Sequence, residues 1–278
     1  MAKPKLRLDK LLLDLGFFDS LQKAQTCIMM NGVKIDGKWI NKAGQQIVQE
    51  SFYEAYEQNP AYIEVEDKLL PYVSRGALKM KAAHEAFGLD FTDKVILDIG
   101  ASTGGFTDYA LQNGAKKSIA LDVGKGQLHY KLQNDPRVIN LQGVNFREVE
   151  KIDLSQFPGE GNGERGIGLV VIDVSFISLV TILEKLKSLQ KESFFPNSSP
   201  LIPSNNLQVV ALLKPQFEAS KTIMDKCKGV IRDDKIRQEV FATTIAKIQA
   251  LGYEIKSEIE SPVKGAKGNI EFLLNLIQ

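Results

Sequence analysis

Apolar residues in this chain gather into short unbroken runs between polar turns: VIL at 95–97, SIAL at 118–121, VINL at 138–141, LVVI at 169–172 and VVALL at 209–213. Runs of this length without strict alternation suit strands covered on both faces, as in a parallel sheet. Strands are therefore expected at 95–98, 118–122, 138–141, 168–173 and 208–213, alternating with helices. Two more candidates, 252–259 and 270–276, leave no room for a helix between them and should pair antiparallel. The pattern predicts an α/β fold: a Rossmann-like, mostly parallel sheet whose last strand is antiparallel.

The N-terminal stretch has a different grammar. Leu8, Leu11, Leu12 and Leu15 share one helical face, Gly16 stops that helix, and Ser20 can cap a second helix running through Ile28. NGVKIDGKWI then reads as an Asn-Gly turn, two short strands and an Asp-Gly turn. Residues 1–48 carry eight Lys or Arg against four Asp, a balance of +4, whereas 49–67 are acidic, with Glu50, Glu54, Glu57, Glu64, Glu66 and Asp67. This break, with Pro71 close behind, predicts a small α+β domain over 1–66, a linker at 67–73 and a larger domain over 74–278.

Composition narrows the function classes. The 278 residues are 44% hydrophobic and 25% charged, an ordinary globular profile. No apolar run reaches the roughly 18 residues of a spanning helix, and the lysine-bearing N-terminus has no apolar signal core. Cys27 and Cys227 are too few for a disulfide framework or a zinc site. The expectation is a cytoplasmic protein with no membrane and no metal partner. A net charge of +1 says nothing of partners, and nothing reads out the oligomeric state. Segments 158–168 and 193–206 read as surface loops.

The most informative motif is VILDIGASTGGFTDYAL, 95–111. A strand ends at Asp98, a turn carries Gly100, Ser102, Gly104 and Gly105, and a helix opens at about Phe106. Glycines admit a ligand close to the backbone, and a helix N-terminus offers unpaired N–H groups. The spacing departs from the dinucleotide G-x-G-x-x-G, because position 102 is serine. An acidic strand end would repel a pyrophosphate but suits a cation, and S-adenosylmethionine carries an ammonium and a sulfonium. Asp122, ending the next strand, is placed to accept from ribose hydroxyls. The plainer alternative is an ordinary βα turn with Asp98 as a helix cap.

Four other polar residues stand out by position. Asp173 ends LVVID, Lys214 ends VVALLK, Glu271 lies in the last strand, and Lys79 lies one helix before the sheet. Strand ends on that side of an open α/β sheet face the ligand crevice. Each alone could equally be a cap or a solvated lysine.

Two resemblances change this balance. RLDKLLLDLGFFDSLQKAQTCIMMNGVKIDGKWI resembles the S-four RNA-binding domain, with Arg7-Leu8-Asp9, Ser20 to Ala24, and Gly32-Val33 to Asp36-Gly37 in the family's positions. That resemblance covers roughly residues 5–66. It implies structured RNA as partner, with Arg7, Lys10, Lys23 and Lys34, and Arg75 further on, as RNA contacts. The order Lys79, Asp173, Lys214, Glu271 is similar to the K-D-K-E tetrad of FtsJ-type ribose 2′-O-methyltransferases. Together with Tyr72–Met80, Asp173–Ser178, Leu213–Glu218, Gly229–Asp233 and Ser261–Glu271, it gives nearly the whole chain a resemblance to the TlyA, or haemolysin A, family.

The family resemblance implies cytidine 2′-O-methylation of ribosomal RNA, naked or in subunits, with S-adenosylmethionine as cofactor. It makes Asp98, Gly100, Ser102, Gly104, Gly105, Phe106, Asp122, Asn145 and Asp173 cofactor contacts. Two departures are the long 193–206 loop and Asn145, where many methyltransferases place an acid near adenine. In this reading Lys214 steers or deprotonates the 2′-hydroxyl. A neighbouring Lys79 and partial burial favour the neutral amine; Asp173 and Glu271 oppose it and orient the lysines. Rival classes are a membrane-lytic protein and a non-catalytic RNA-binding assembly factor.

Overall fold

In the computed structural model the chain divides into two compact units, Met1–Ser74 and Arg75–Gln278. The structure describes residues 4–18, 20–65, 72–149, 166–189, 206–265 and 268–278. Most of the expected linker and of both expected loops lies outside these.

The first unit runs β1 (Lys5–Arg7), α1 (Leu8–Asp14), α2 (Leu21–Met29), β2 (Val33–Ile35), β3 (Lys38–Ile40), β4 (Gln46–Val48), α3 (Gln49–Gln58) and β5 (Ile63–Val65). Both expected helices form. Ser20 caps α2 by accepting from the Lys23 N–H at 3.3 Å, and Gly16 follows α1 in the left-handed region at φ 76°. The β2–β3 hairpin turns through Asp36 and Gly37, both at positive φ, as a tight turn matching strand twist requires. Leu8, Leu11, Leu12, Ile28, Val33, Phe52 and Ile63 close its core. The sequence reading lacked α3 and the three-residue strands β1, β4 and β5. β5 extends the hairpin to the order β3-β2-β5.

The second unit runs α4 (Gly76–Phe87), β6 (Val95–Ile99), α5 (Gly105–Gln112), β7 (Lys117–Asp122), α6 (Tyr130–Gln133), β8 (Val138–Gln142), β9 (Leu169–Ile172), α7 (Leu179–Leu189), β10 (Gln208–Leu213), α8 (Pro215–Glu218), α9 (Lys221–Cys227), α10 (Asp234–Ala250), β11 (Glu254–Glu260) and β12 (Phe272–Ile277). One seven-stranded sheet has the order β11-β12-β10-β9-β6-β7-β8. Strands β10, β9, β6, β7 and β8 are parallel, and β12 is antiparallel to both β10 and β11. The α/β expectation holds, with strand ends within two residues of the apolar runs.

Side chains alternate across a strand. Leu97 and Ile99 pack into the core that holds Ile182, Leu183 and Leu186 of α7. Asp98, between them, bonds to Thr107 of α5 instead. The parallel order reverses between β6 and β9, and at such a switch point the loops beyond the strand ends diverge and open a crevice.

Candidate active site

Four neighbouring strands, β6, β9, β10 and β12, bring the predicted residues to one edge of the sheet. The loops after β6, β9 and β10 leave at Gly100, Asp173 and Lys214. Because β12 is antiparallel, with Phe272 opposite Leu213, Glu271 enters it at that same edge. The topology thus sets Glu271, Lys214, Asp173 and Gly100 side by side, although up to 171 residues of chain (271 minus 100) separate them.

Helix α4 supplies the fourth member. The Lys79 ammonium donates to Asp173 Oδ2 at 3.1 Å and to Glu271 Oε2 at 3.1 Å. Lys214 Nζ lies 2.7 Å from Asp173 Oδ1 and donates to Ser175 Oγ at 2.9 Å. Side-chain exposures are 11% for Lys79, 9% for Lys214, 20% for Asp173 and 2% for Glu271. Burial by itself raises the Asp173 pKa, but the Lys79 and Lys214 ammoniums outweigh it and hold the carboxyl below its ordinary value. Two cations and two anions compensate one another, which makes so buried a set of charges tolerable. Gln216, unremarked in the sequence, donates to Glu271 Oε1 at 3.0 Å.

The motifs around the tetrad are locked to one another. Glu218 accepts from Ser178 Oγ and the Leu179 N–H, each at 2.6 Å, tying the turn after β10 to the start of α7. Asn269 accepts from the Ile231 N–H and donates to the Gly229 carbonyl, both at 3.1 Å. Phe176 stands out: its φ is +64° and it is 91% exposed. Its ring centroid lies 5.1 Å from that of Phe217. A bulky residue in the left-handed region costs about 1–3 kcal/mol and marks a functional position more often than a neutral one.

Beside the tetrad lies the glycine turn. Asp98 is 1% exposed, and its Oδ2 accepts from Thr107 N and Oγ1 at 3.1 and 2.7 Å. That oxygen does the helix-cap work of the plainer reading. The other, Oδ1, is buried with no partner among the described residues. Burial pushes the carboxyl up to about 7, against the opposing hydrogen bonds of Thr107. Gly100 has φ 85°, and a Cβ there would come within 2.6 Å of the Asp173 carbonyl oxygen. Gly104 has φ 92°, and a Cβ would overlap Leu132 and Leu128. Gly105 begins α5 and Phe106 is buried.

Asp122 accepts from the Ser102 N–H at 2.8 Å and the Gly124 N–H at 2.7 Å. It helps line a cleft with Ser102, Gly124, Gln127, Asn140 and Gln142. Asn145 follows β8, next to Val144, whose N–H donates to the Asp122 carbonyl at 3.0 Å; its own side chain accepts from the Arg147 N–H and donates to Glu148. The polar residues at the cleft on this side are Asn140 and Gln142, two positions the sequence reading did not single out.

The basic residues of the first unit differ among themselves. Arg7 is committed to Asp9 through Nε at 3.0 Å and a second nitrogen at 2.6 Å. Asp9 is fully buried, also accepts from Gln25, and is held below its ordinary pKa by the Arg7 guanidinium. Lys34 lies 3.4 Å from Glu64 and 4.4 Å from the centroid of the half-exposed Trp39. Lys10 and Lys23 are exposed, as is Arg75, the first residue of the second unit. Among the described residues no His, Cys, Asp and Glu cluster could hold a metal, and no helix is long and apolar enough to cross a membrane.

Comparison with known proteins agrees with this geometry. Residues 72–277 match the FtsJ-like methyltransferase family. A Bacillus subtilis protein named as a candidate rRNA methyltransferase, YqxC, is 39% identical over 99% of this chain and 87% of its own length. The 16S/23S rRNA (cytidine-2′-O)-methyltransferase TlyA of Mycobacterium tuberculosis is 35% identical over 97% of this chain and 89% of its own. A solved structure described as a candidate hemolysin from Streptococcus thermophilus superposes with a TM-score of 0.67 at 36% identity, covering 100% of this chain and 90% of that one. The chain belongs to the FtsJ-like methyltransferase family.

Proposed function

We propose that this protein uses S-adenosylmethionine to methylate a ribose 2′-hydroxyl of ribosomal RNA, a cytidine by analogy with its TlyA relative. The observation that carries the reading is the Lys79–Asp173–Lys214–Glu271 network, set one strand from a glycine turn with an orphaned buried carboxylate oxygen. The residues fit the cofactor. Asp98 Oδ1 offers an acceptor for a cationic group, Gly100 and Gly104 let the turn take its left-handed backbone and pack closely on Asp173, Leu128 and Leu132, and Asp122 can take ribose hydroxyls beside the cleft. S-adenosylmethionine supplies an electrophilic methyl group on a sulfonium.

The chain's own residues position the acceptor. An ammonium has three hydrogens; Asp173 and Ser175 engage Lys214, which leaves one for a substrate oxygen among the described contacts. Lys214 therefore steers the hydroxyl. Lys79 and Glu271 fix Asp173, and Asp173 fixes Lys214. The exposed Phe176 ring beside them gives an extruded base a face to stack on. Alignment of this kind can remove several kcal/mol of a barrier.

The first unit is proposed to be the S-four-type RNA-binding domain, with boundaries near 1–66 and the methyltransferase domain from about 74. Exposed Lys10 and Lys23, with Arg75 at the start of the second unit, are proposed phosphate contacts, as are Arg7 and Lys34 through their remaining donors. Because ribosomal RNA is the proposed substrate, the protein is proposed to act in the cytoplasm. The test is to map ribose methylation across ribosomal RNA from cells with and without the gene. The reading expects at least one 2′-O-methylcytidine to vanish; identical maps would reject it.

A further inference from the structure

The far end of the tetrad is held from two sides. Glu271 gives one oxygen to Lys79 and the other, Oε1, to Gln216 Nε2 at 3.0 Å. Gln216 is 8% exposed and stands on the one-turn helix α8 directly after Lys214, where Pro215 occupies the first helical position. A carboxylate only accepts, so the amide nitrogen must face it. The amide oxygen then lies buried with no partner among the described residues. Leaving that oxygen orphaned is unfavourable, so the bond made by the nitrogen is what holds the amide there.

The second side is Gly265. Its φ is not in the left-handed region, so its backbone does not demand glycine. A Cβ there would instead overlap the Glu271 carboxylate at Oε1. That carboxylate ends a flexible side chain, but it is 2% exposed and bonded at both oxygens. It can yield only by breaking the bonds to Gln216 or Lys79.

We propose that Gln216 and Gly265 form a positioning clamp on Glu271, which pins Lys79 between Glu271 and Asp173 and so keeps Asp173 Oδ1 aimed at Lys214. The clamp's catalytic consequence rests on the methyl-transfer reading above; the clamp itself does not. The charged groups facing Glu271 are Lys79 of α4 and, through it, Asp173 after β9 and Lys214 after β10. Glu218 of α8 is engaged elsewhere, and Lys264 on the connecting segment is exposed.

Three variants test it: Gln216→Met, Gln216→Glu and Gly265→Ala. In Gln216→Glu a protonated carboxyl replaces the amide donor at low pH, and two carboxylates repel as pH rises. The melting-temperature gap to wild type should widen steadily from pH 5 to 8, whereas that of Gln216→Met should not change with pH. On substrate, Gln216→Met and Gly265→Ala should lower kcat roughly tenfold while KM for S-adenosylmethionine and RNA stays within about twofold. Gln216→Glu should approach wild-type kcat at the acid end and lose it at the alkaline end. A pH-independent gap for Gln216→Glu, or wild-type kcat for Gln216→Met, overturns the proposal. Gln216→Glu keeps the side chain's size, so the melting test stands even if Gln216→Met fails to fold. If the wild-type protein methylates no ribosomal RNA, the functional reading fails, and the melting comparison still decides the clamp.

Discussion

Replacing Asp98 with asparagine separates two roles that the structure combines in one side chain. Burial raises its carboxyl from 3.8 to about 7, so between those values the folded protein holds a proton that the unfolded chain has released. Wild-type stability therefore falls as pH rises through this window and levels off above about 7. At 1.36 kcal/mol per pH unit, Asp98 removes on the order of 2–3 kcal/mol between pH 5 and 8. Asparagine does not titrate. The melting temperature of Asp98→Asn should thus gain on wild type by roughly 5–10 °C over that range, for a unit of this size. Cofactor binding should move the other way. Losing a charge-assisted hydrogen bond should weaken S-adenosylmethionine roughly ten- to a hundredfold. It should also abolish the proton release that calorimetry near pH 6 in buffers of different ionisation enthalpy detects for wild type. A melting gap constant with pH, together with unchanged affinity, would refute the reasoning.

Other perturbations have defined outcomes. Gly104→Ala forces a left-handed backbone on alanine and drives its methyl into Leu128 and Leu132. It should cost about 2 kcal/mol or more in denaturant unfolding, and a midpoint equal to wild type would count against the turn geometry. Lys10→Glu with Lys23→Glu should weaken RNA binding and flatten its salt dependence by roughly 0.7–0.9 per lost phosphate contact in a log–log plot; unchanged titrations would move the RNA elsewhere. Trp39, the single tryptophan, should report that binding as a fluorescence change. Phe176→Ala keeps the Cβ and with it the backbone strain, and because the ring is 91% exposed it should change stability little, while lowering kcat/KM for RNA about tenfold or more. Full activity would mean that the ring is not a base platform.

Much of the larger unit was legible because buried parallel strands read as plain apolar runs, and a strand-end acid before a glycine turn is a local signal. Asp98 and Asp122 needed nothing more. The tetrad was different: Lys79 and Glu271 meet across 192 residues of chain, and periodicity cannot pair residues that far apart. Family resemblance named them; the register of antiparallel β12 against β10 explains why they meet. Gln216 and Ser175 lie inside the recognised motifs but drew no role, because a neutral side chain carries no signal until its partner is placed. Arg7 reads as a phosphate contact because it is basic; that it also pairs with Asp9 follows from a three-residue strand running into a helix, which the pattern does not show. β1, β4 and β5 went unseen because, unlike the equally short β2 and β3, they are not bracketed by Asn-Gly and Asp-Gly turns.

The central claim is that this network positions a ribose oxygen to take the methyl group from S-adenosylmethionine. The direct measurement incubates purified protein with methyl-labelled S-adenosylmethionine and ribosomal RNA, then digests the RNA with alkali, which cannot cleave 3′ to a 2′-O-methylated ribose. The account predicts label in alkali-resistant dinucleotides for wild type and a loss of at least a hundredfold for Lys214→Ala, with cofactor affinity unchanged within about twofold. Label in alkali-sensitive mononucleotides, or a Lys214→Ala variant as active as wild type, would contradict it.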